Sequence, residues 1–372
     1  MMKKLALLMA AVLGAAAHAG PPGLTVQDGV LLKDGKPYRG VGINYFDCFL
    51  RTLPNGTNTS YDAGFKTLAE YHIPFARFCA TGFWPRDMQL YQSDRAEYFR
   101  RLDGIVRSAE KHSVGLIPSL FWHTSCVPDL VGEPVGAWAD PQSKTCTWMR
   151  RYVREVVTRY QASPAIWAWE FGNEYSLAAN LPNAKEHRAP VHPTLGTATN
   201  RTERDDLTFA MTRAAFIEFA KAVREHDAHR LVLTGDSFPR LSAWHQEHEG
   251  KWTHDTKAQF QEMLRKVNPD PVNGIGVHAY EDDDQRLAWL MEVSRELKKP
   301  VFVGEFGAQN ATAAQVTKFH RLLKAITDAG VPLAALWVFE LKQQPDFTVV
   351  PDGARAYQLE ALRDWNLAHA AR

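Results

Sequence analysis

The amino-acid sequence predicts a single (β/α)₈ barrel, of the α/β class, preceded by a short β-hairpin. Eight short apolar runs alternate with eight amphipathic helical patterns along the 372 residues, and this alternation indicates a parallel sheet covered by helices. No low-complexity linker or shift in composition marks a second domain. Long connections follow the third, fourth and fifth runs, where this fold builds its active sites.

Residues 1–19 have the three-part organisation of a secretory signal. Lys3 and Lys4 form the charged start, residues 5–17 form the apolar run, and Ala17-His18-Ala19 is a small-residue cleavage site. We expect cleavage near Ala19, a secreted or periplasmic protein, and one barrel domain over residues 20–372. An uncleaved anchor is the alternative. No later segment approaches the roughly 20 uninterrupted apolar residues of a membrane span, so no membrane contact is expected.

The charge balance argues against several classes of partner. The full sequence carries a formal net charge of +1, which becomes −1 once the two lysines of the signal segment are removed. Such a chain offers no basic field for nucleic acid or anionic lipid, and we expect an uncharged partner and a monomer. Because no GxGxxG or P-loop pattern follows any apolar run, we expect no cofactor.

The predicted elements follow one another in barrel order. A hairpin covers residues 24–39, with Asp34-Gly35 as its turn. The eight apolar runs, predicted as strands, are residues 40–45, 75–78, 115–120, 166–170, 231–234, 274–278, 301–305 and 334–338. The helical patterns cover residues 61–71, 98–112, 148–160, 207–226, 258–267, 287–297, 316–329 and 357–367.

Four cysteines remain after the predicted signal: Cys48, Cys79, Cys126 and Cys146. Export favours disulfides, and four cysteines allow three connectivities. We favour Cys126 with Cys146, since both lie in one long loop, against the alternative of four buried free thiols. His245, His248 and His254 lack a carboxylate at a recognised metal-ligand spacing, so we expect a polar substrate-facing loop there and no metal.

Polar side chains fall at one end of the predicted strands. They are Arg77, His123, Asn173, Glu174, His278, Tyr280, Glu305 and Trp337, the last within the eighth run. All map to the carboxyl-terminal ends of the strands, here called the mouth of the barrel. Singly, each could be structural, and Glu305 could simply pair with Arg77. Two carboxylates buried side by side carry a large desolvation and repulsion cost, and such a pair normally has a use.

Glycoside hydrolysis is a use that fits two facing carboxyls. One carboxyl is protonated and assists the leaving oxygen, while the other is ionised and meets the oxocarbenium-like centre. Strands four and seven lie on opposite sides of a barrel, so Glu174 and Glu305 can face each other across a sugar. A gap of roughly 5 Å indicates a retaining enzyme and one of about 6.5–9.5 Å an inverting enzyme. The sequence leaves this gap open.

Several segments of the chain resemble glycoside hydrolase family 5. Trp167-Ala-Trp-Glu-Phe-Gly-Asn-Glu174 is similar to its acid/base segment, and Lys299-Pro-Val-Phe-Val-Gly-Glu305-Phe-Gly to its nucleophile segment. The remaining matches are Arg77, His278-Ala-Tyr280, Trp337, Asp34-Gly35-Lys36-Pro37 and Gly42-Ile-Asn44. The likeness covers nearly all of the chain after the predicted signal, in the family's order.

The resemblance implies a retaining double displacement with Glu305 as nucleophile and Glu174 as acid/base. It further implies that Asn173 binds the sugar 2-hydroxyl, that Arg77 and Tyr280 keep Glu305 ionised, that His278 lies near the acid/base, and that Trp337 forms a platform under the sugar. A lowered pKa on Glu305 and a raised pKa on Glu174 would be the electrostatic signature.

Other residues near the predicted mouth have less defined roles. We expect His123 to contact substrate and Glu170 to be a buried structural carboxyl, while Glu340 matches no family role. Candidate subsite walls, since sugars stack on aromatic rings, are Trp84, Trp122, Trp138, Tyr175, Trp244 and Trp252. Core packing explains any one of these aromatics about as well.

The substrate class implied by the resemblance is an oligo- or polysaccharide, with endo action on a β-1,4-linked mannan or glucan. Mannan-cleaving members often continue the His-x-Tyr element with Pro and then Trp, whereas here Tyr280 is followed by four acidic residues. A non-hydrolytic carbohydrate-binding protein and a transglycosylase on the same barrel are the alternatives.

Overall fold

The structure is a computed structural model that describes residues 22–280 and 284–369. The predicted signal segment lies outside the described residues, as do the first three positions of the acidic run after Tyr280. Within the described part, no helix combines the length and apolar character needed to cross a bilayer.

The described residues begin with a three-stranded antiparallel sheet rather than the predicted two-stranded hairpin. Strands β1 (Leu24–Gln27), β2 (Val30–Lys33) and β3 (Lys36–Pro37) are joined by turns at residues 28–29 and 34–35. Both turns are Asp-Gly pairs with positive φ at both residues, the pattern of a tight hairpin turn. The prediction used only the second turn and missed that the first is equivalent.

This small sheet packs against the amino-terminal ends of the barrel strands. Leu24 N–H donates to the Trp167 carbonyl at 2.8 Å. A buried apolar cluster joins Leu24 and Leu31 to Phe75, Phe302 and other residues at the strand starts. The sheet therefore covers the end of the barrel opposite the mouth.

The eight predicted barrel strands are all present and parallel. They are β4 (Gly40–Asn44), β5 (Phe75–Cys79), β6 (Gly115–Phe121), β7 (Ala168–Gly172), β8 (Leu231–Leu233), β9 (Ile275–Ala279), β10 (Val301–Phe306) and β11 (Leu333–Leu336). Their order is β8-β7-β6-β5-β4-β11-β10-β9. Asn273 closes the remaining gap, because its side chain accepts from Val232 N–H at 2.7 Å. The (β/α)₈ prediction is confirmed.

Helices surround the barrel. They are α1 (Tyr61–Glu70), α2 (Gln89–Ser93), α3 (Arg95–His112), α4 (Cys126–Val131), α5 (Lys144–Tyr160), α6 (Phe209–Arg224), α7 (Ala243–Glu249), α8 (Lys257–Val267), α9 (Asp284–Leu297), α10 (Ala313–Asp328) and α11 (Ala356–His369). The predicted eight are α1, α3, α5, α6, α8, α9, α10 and α11. The α3, α5, α6, α8 and α10 helices each begin at a Ser, Thr or Asp whose side chain accepts a backbone N–H of the first turn, which satisfies a donor that the helix leaves unpaired.

Burial explains why the strands could be read from the sequence. All residues of β4 to β11 are buried, because a parallel barrel has helices outside and packed side chains inside. Uninterrupted apolar runs are the expected sequence pattern. Polar residues within these strands are therefore exceptions that need a partner, and they lie towards the mouth.

The predicted Cys126–Cys146 disulfide is wrong. All four cysteines are free and buried. Cys126 Sγ contacts the Gly82 carbonyl at 3.4 Å, whereas Cys146 Sγ faces the Trp138 carbonyl at 3.7 Å. A shared loop does not bring two side chains together when a helix and a further turn separate them.

Thiol titration tests this assignment. We expect Ellman's reagent to react slowly with the native protein and to find four thiols in denaturant, since the four cysteines are buried and unpaired. Dithiothreitol should leave Tm unchanged. Detection of only two thiols after denaturation without reductant would show that a disulfide exists.

Candidate active site

The mouth of the barrel brings most of the predicted site residues together. Asn173, Glu174, Tyr280, Glu305 and Trp337 line one cavity of about 930 Å³. Arg77 and His278 lie against this group, in β5 and β9. These seven side chains come from five strands, β5, β7, β9, β10 and β11, or from the residues directly after them, which is how this fold assembles a site.

Arg77 is fully buried, and its guanidinium contacts several side chains of the site. Its Nε donates to Glu170 Oε1 at 2.6 Å and its Nη1 to Glu305 Oε1 at 2.9 Å. Its Nη2 donates to Asn173 Oδ1 at 2.9 Å, and its guanidinium lies 4.2 Å from the ring centroid of Trp122. The planar fork of arginine suits such multiple contacts. The expectation of a structural role for Glu170 agrees with its place behind Arg77.

Glu305 is aimed into the mouth by an irregularity in β10. Val303 pairs with Val277 and Glu305 with His278, so an extra residue, Gly304, bulges out of register. Asn44 Nδ2 donates to the Gly304 carbonyl at 2.9 Å, and a Cβ at position 304 would lie 3.0 Å from His278 Nε2. Bulges redirect side chains in this way. Asn44 was quoted in the resemblance without a role, and the structure supplies one.

The Glu305 carboxylate accepts hydrogen bonds from the side chains of two residues. Arg77 binds Oε1, and the Tyr280 hydroxyl donates to Oε2 at 2.7 Å. Glu305 is 5% exposed, so these two hydrogen bonds fix its orientation inside the cavity.

Glu174 lies in the turn after β7 and meets His278. Its backbone is left-handed, with φ 54° and ψ 33°, and its N–H donates to the Gly235 carbonyl at 3.0 Å. His278 Nδ1 lies 2.8 Å from Glu174 Oε1 and 3.6 Å from Glu305 Oε2. One imidazole nitrogen therefore lies between the two carboxyls.

The separation of the two carboxyls is short. One oxygen of Glu174, one of Glu305 and a ring nitrogen of His278 all lie within 4.8 Å of one another. Retaining glycosidases hold their carboxyls about 5–5.5 Å apart, whereas inverting enzymes keep about 6.5–9.5 Å for a water. The geometry agrees with the retaining arrangement.

The pKa values of the two carboxyls only partly match the sequence-based expectation. Burial raises the pKa of Glu174, against a lowering by Arg77. Burial also raises the pKa of Glu305, with a further contribution from Glu174. His278, Arg77 and the Tyr280 hydrogen bond act in the opposite direction. The expected lowered pKa of Glu305 is wrong, because desolvation outweighs the one cation that Glu305 shares with Glu170.

His278 is a neutral partner of Glu174. Burial lowers the pKa of its imidazole to about 4. Its Nε2 has no hydrogen-bond partner among the described residues, and a buried N–H without an acceptor is rarer and costlier than a lone pair without a donor. We therefore assign the proton to Nδ1, which donates to Glu174 Oε1. This leaves the other oxygen of Glu174 to carry an acidic proton.

Aromatic rings line the cavity beside the carboxyls. Trp337 follows the end of β11 and is held by a 2.6 Å hydrogen bond from its Nε1 to Gln344. Its ring centroid lies 6.0 Å from that of Trp122 and 5.9 Å from that of Phe46. Of the predicted subsite walls, Trp84 and Trp122 line this cavity.

Other predicted contacts lie elsewhere. Trp244 is on α7, where its Nε1 donates to Glu262 at 3.1 Å and its ring stacks on His248, so the structure does not place it with the residues that line the cavity. His123 does not line the cavity and packs against Phe83 and Trp84, which do. Of the remaining aromatics, Trp138 and Tyr175 are core residues and Trp252 is 55% exposed on a loop.

A charged cluster beside the cavity includes Asp47 and Arg51, which line it and were not identified from the sequence, and Glu340, which was noted without a role. Arg51 is paired with Asp47, and its Nη1 donates to Glu340 Oε2 at 3.2 Å. The Tyr45 hydroxyl donates to the same oxygen at 2.8 Å. Tyr45 follows β4, so the rule that functional residues follow strands could have identified it. The position of Arg51 depends on the path of the loop and carries no sequence signal.

Possible metal ligands converge at one place in the described residues, namely Glu174, His278 and Glu305. These are also the groups of the carboxyl pair. The loop histidines form no such group within the described chain. His245 Nδ1 is bound to Asp255 at 2.8 Å, which restrains the loop.

A parallel barrel with two facing carboxyls at its mouth, one held by arginine and tyrosine and the other by a neutral histidine, defines a glycoside hydrolase. The family model described as "Cellulase (glycosyl hydrolase family 5)" matches residues 55–340. The chain belongs to glycosyl hydrolase family 5.

Named relatives and solved structures add to this result. The chain is 23% identical over 257 residues to a probable mannan endo-1,4-β-mannosidase A of Aspergillus niger, covering 64% of this chain and 58% of the relative. It is 35% identical over 85 residues to a probable mannan endo-1,4-β-mannosidase A-1 of Aspergillus terreus, covering 21% and 22%. The chain thus spans only part of the length of these relatives. The endo-1,4-β-mannanase structure from Rhizomucor miehei has the same fold, with a TM-score of 0.66, 16% identity and coverage of 93% and 99%.

Replacing the buried guanidinium tests its place in the site. Arg77→Met leaves Glu170 and Glu305 buried without their cation, and we expect unfolding free energy to fall by about 3–5 kcal/mol at neutral pH. The loss should shrink as pH falls, because protonated carboxyls need no cation. Urea denaturation at several pH values measures it.

The matched control is Arg230→Met, which removes another buried arginine from its ion pair with Asp227. We expect it to reduce stability while the folded protein keeps its activity. Equal stability of Arg77→Met and the parent protein would contradict the geometry described.

Proposed function

We propose that this chain is a retaining, endo-acting β-glycoside hydrolase that cleaves β-1,4-mannan. The observation that carries the proposal is the pair of carboxyl oxygens within 4.8 Å of each other, in unlike surroundings. Glu305 accepts from Arg77 and Tyr280, which favours its ionised form. Among the described residues, the Glu174 carboxyl accepts from the neutral His278, so Glu174 is the better site for the shared proton.

In the first step, Glu305 attacks the anomeric carbon while Glu174 gives its proton to the glycosidic oxygen. The bond from the anomeric carbon to that oxygen breaks, and a glycosyl ester forms on Glu305. Asn173 is held through its Oδ1 by Arg77, which leaves its amide N–H groups for the sugar 2-hydroxyl. Trp337 supplies an aromatic surface for the ring.

In the second step, Glu174 takes a proton from water, and the resulting nucleophile releases the sugar with its original configuration. Esterification neutralises Glu305, so Glu174 loses a nearby negative charge and can ionise more readily. The neutral His278 follows this change without titrating, since its pKa is about 4. The site thereby keeps one net charge on the carboxyl pair through both steps.

Two cavities that share residues support endo action. The first, of about 930 Å³, and a second, of about 410 Å³, both include Glu174 and Tyr280 in their linings. A chain can therefore extend on both sides of the cleavage point. Leu177 and Leu241 line the second cavity and are exposed, which suits the aglycone side of a polymer.

Mannan is the substrate class that the relatives favour, since both relatives named above are described as probable mannan endo-1,4-β-mannosidases. The acidic residues after Tyr280, where Pro and Trp are frequent in mannan-cleaving members, make β-1,4-glucan the substrate to compare. A binding protein without turnover is disfavoured by a complete carboxyl pair. A transglycosylase shares the same intermediate and differs in its acceptor.

We further infer that the chain is exported after removal of residues 1–19, and that one barrel domain acts as a monomer. The signal-like pattern of those residues and the barrel over the described residues support this inference.

Removal of the nucleophile tests the reaction. We expect Glu305→Ala to release no reducing sugar from mannan, because no covalent intermediate can form. The unmodified enzyme should lower mannan viscosity early, as mid-chain cleavage does, and ¹H NMR should show the β-anomer as first product. Glu262→Gln, an exposed carboxyl on α8, is the matched control with unchanged activity. Full activity of Glu305→Ala, or a first product of α configuration, would contradict the proposal.

The pH profile tests the acid/base. Glu174 acts protonated and its pKa is raised by burial, so kcat/KM should fall as pH rises through a value above 4.5. Glu305 acts ionised, so kcat/KM should also fall at low pH. In Glu174→Gln the alkaline limb should disappear for an activated aryl glycoside. An alkaline limb that persists unchanged would assign this titration to another group.

A further inference from the structure

Asp236 is a buried carboxyl beside the catalytic pair that the mechanism above does not use. It lies three residues beyond the end of β8, at the mouth, and is fully buried. Buried carboxyls are costly unless they are paired or hydrogen bonded. The contacts of Asp236 therefore indicate what it holds in place.

One oxygen of Asp236 binds the segment that carries Glu174. Asp236 Oδ1 accepts from Ser176 N–H at 3.1 Å, from the Ser176 hydroxyl at 2.8 Å and from Ser237 N–H at 2.9 Å. Its Oδ2 has no partner among the described residues. Two of the three bonds thus go to a residue two positions after the acid/base.

The segment held in this way has an unfavourable backbone. Glu174 is left-handed, with φ 54° and ψ 33°, a conformation that residues with a Cβ rarely adopt. Residues 235 and 236 bind this turn at two points, since the Gly235 carbonyl accepts from Glu174 N–H at 3.0 Å. Such strain persists only where the surroundings impose it.

Position 235 also shows how closely the two segments approach. Gly235 has φ +69°, and a Cβ there would lie 2.0 Å from the Gly172 carbonyl oxygen and 2.8 Å from Glu170 Cδ. The residue before Asp236 therefore lies directly against the end of β7. Residues 235 and 236 thus contact the Glu174 turn both by close packing and by hydrogen bonds.

The charge of Asp236 fits this role. A carboxylate accepts hydrogen bonds more strongly than a neutral amide or hydroxyl. Burial raises the pKa of Asp236 to about 6, and Glu174 adds to the rise. Among its charged neighbours, Arg240 interacts with Asp236 as a cation and Glu174 as a like charge. The group thus accepts as an anion above about pH 6.

We propose that Asp236 is a positioning residue for the acid/base: it binds Ser176 and so fixes the left-handed turn that aims Glu174 at the leaving oxygen. This inference rests on the proposed role of Glu174. It assigns to Asp236 no contact with substrate. Loss of Asp236 should therefore affect proton donation to the leaving group and leave the attack of Glu305 intact.

Leaving-group dependence separates these two effects. We would measure kcat/KM, which reports the first step, for one glycone with two leaving groups: a dinitrophenyl group, which needs no proton, and a sugar, which does. The glycone is whichever of mannobiose or cellobiose the parent enzyme accepts. We expect Asp236→Asn to lower kcat/KM about 10- to 100-fold for the sugar leaving group and less than about twofold for dinitrophenyl. Glu174→Gln should show the same pattern at about 10²- to 10⁴-fold.

Two further variants keep the test independent of folding. Ser176→Ala retains the carboxyl and removes only the 2.8 Å hydroxyl bond, so it should show the same selectivity with a smaller loss. Asp227→Asn is the matched structural control, a buried aspartate that accepts from Trp169 and Arg230 at the opposite end of β8. It should lower Tm and leave the ratio of the two kcat/KM values unchanged.

The outcomes distinguish this inference from the proposed function. Equal losses for both leaving groups, or none, in both Asp236→Asn and Ser176→Ala would overturn the role of Asp236 while Glu174→Gln remains selective. If Glu174→Gln is itself unselective, the proposed acid/base fails and this inference fails with it.

Discussion

The buried guanidinium of Arg77 carries one positive charge and pairs with two carboxylates, Glu170 and Glu305. The rest of the site follows from this excess of acidic groups. The fully buried Asp236 and the partly buried Glu174 lie close by. Even with Arg240 near Asp236, these four carboxyls outnumber the cations beside them, and they cannot all be ionised in a medium of low dielectric. A proton must therefore remain in the site, and it remains where the donors are weakest, beside the neutral His278. The site therefore contains a general acid because the carboxyls at the mouth of the barrel outnumber the cations there.

The barrel itself could be predicted because its sequence pattern and its burial have the same cause. Strands covered by helices outside and packed inside must be apolar throughout, so all eight were identified, with boundaries that differ by a few residues. The polar exceptions Arg77, His278 and Glu305 stood out against that background. Trp244 and His123 did not obey any such rule, since they lie on connections whose path depends on tertiary contacts. A Trp near the mouth in sequence can belong to a helix that turns away from it.

The sign of the pKa shift at Glu305 shows another limit of sequence reasoning. Residue types and their order indicate which charges meet, but not how much water remains around them. With Glu305 only 5% exposed, desolvation exceeds the attraction to a cation that already serves Glu170. The bulge at Gly304 and the left-handed backbone of Glu174 are likewise invisible in a periodic pattern, because each depends on an irregular backbone position held by groups distant in the chain.

The small antiparallel sheet at the start of the described chain determines where a tag or a surface linker can be attached without blocking the substrate cavities. Because β1 to β3 cover the amino-terminal ends of the barrel strands, residue 22 emerges on the face opposite the substrate cavities. A tag or surface linker attached there would present the cavities outward, away from a support. The same attachment at a loop following β7 or β8 would obstruct them. An immobilised form of this enzyme should thus be tethered near residue 22, with Leu24 and Leu31 left intact, since they anchor the sheet to the barrel.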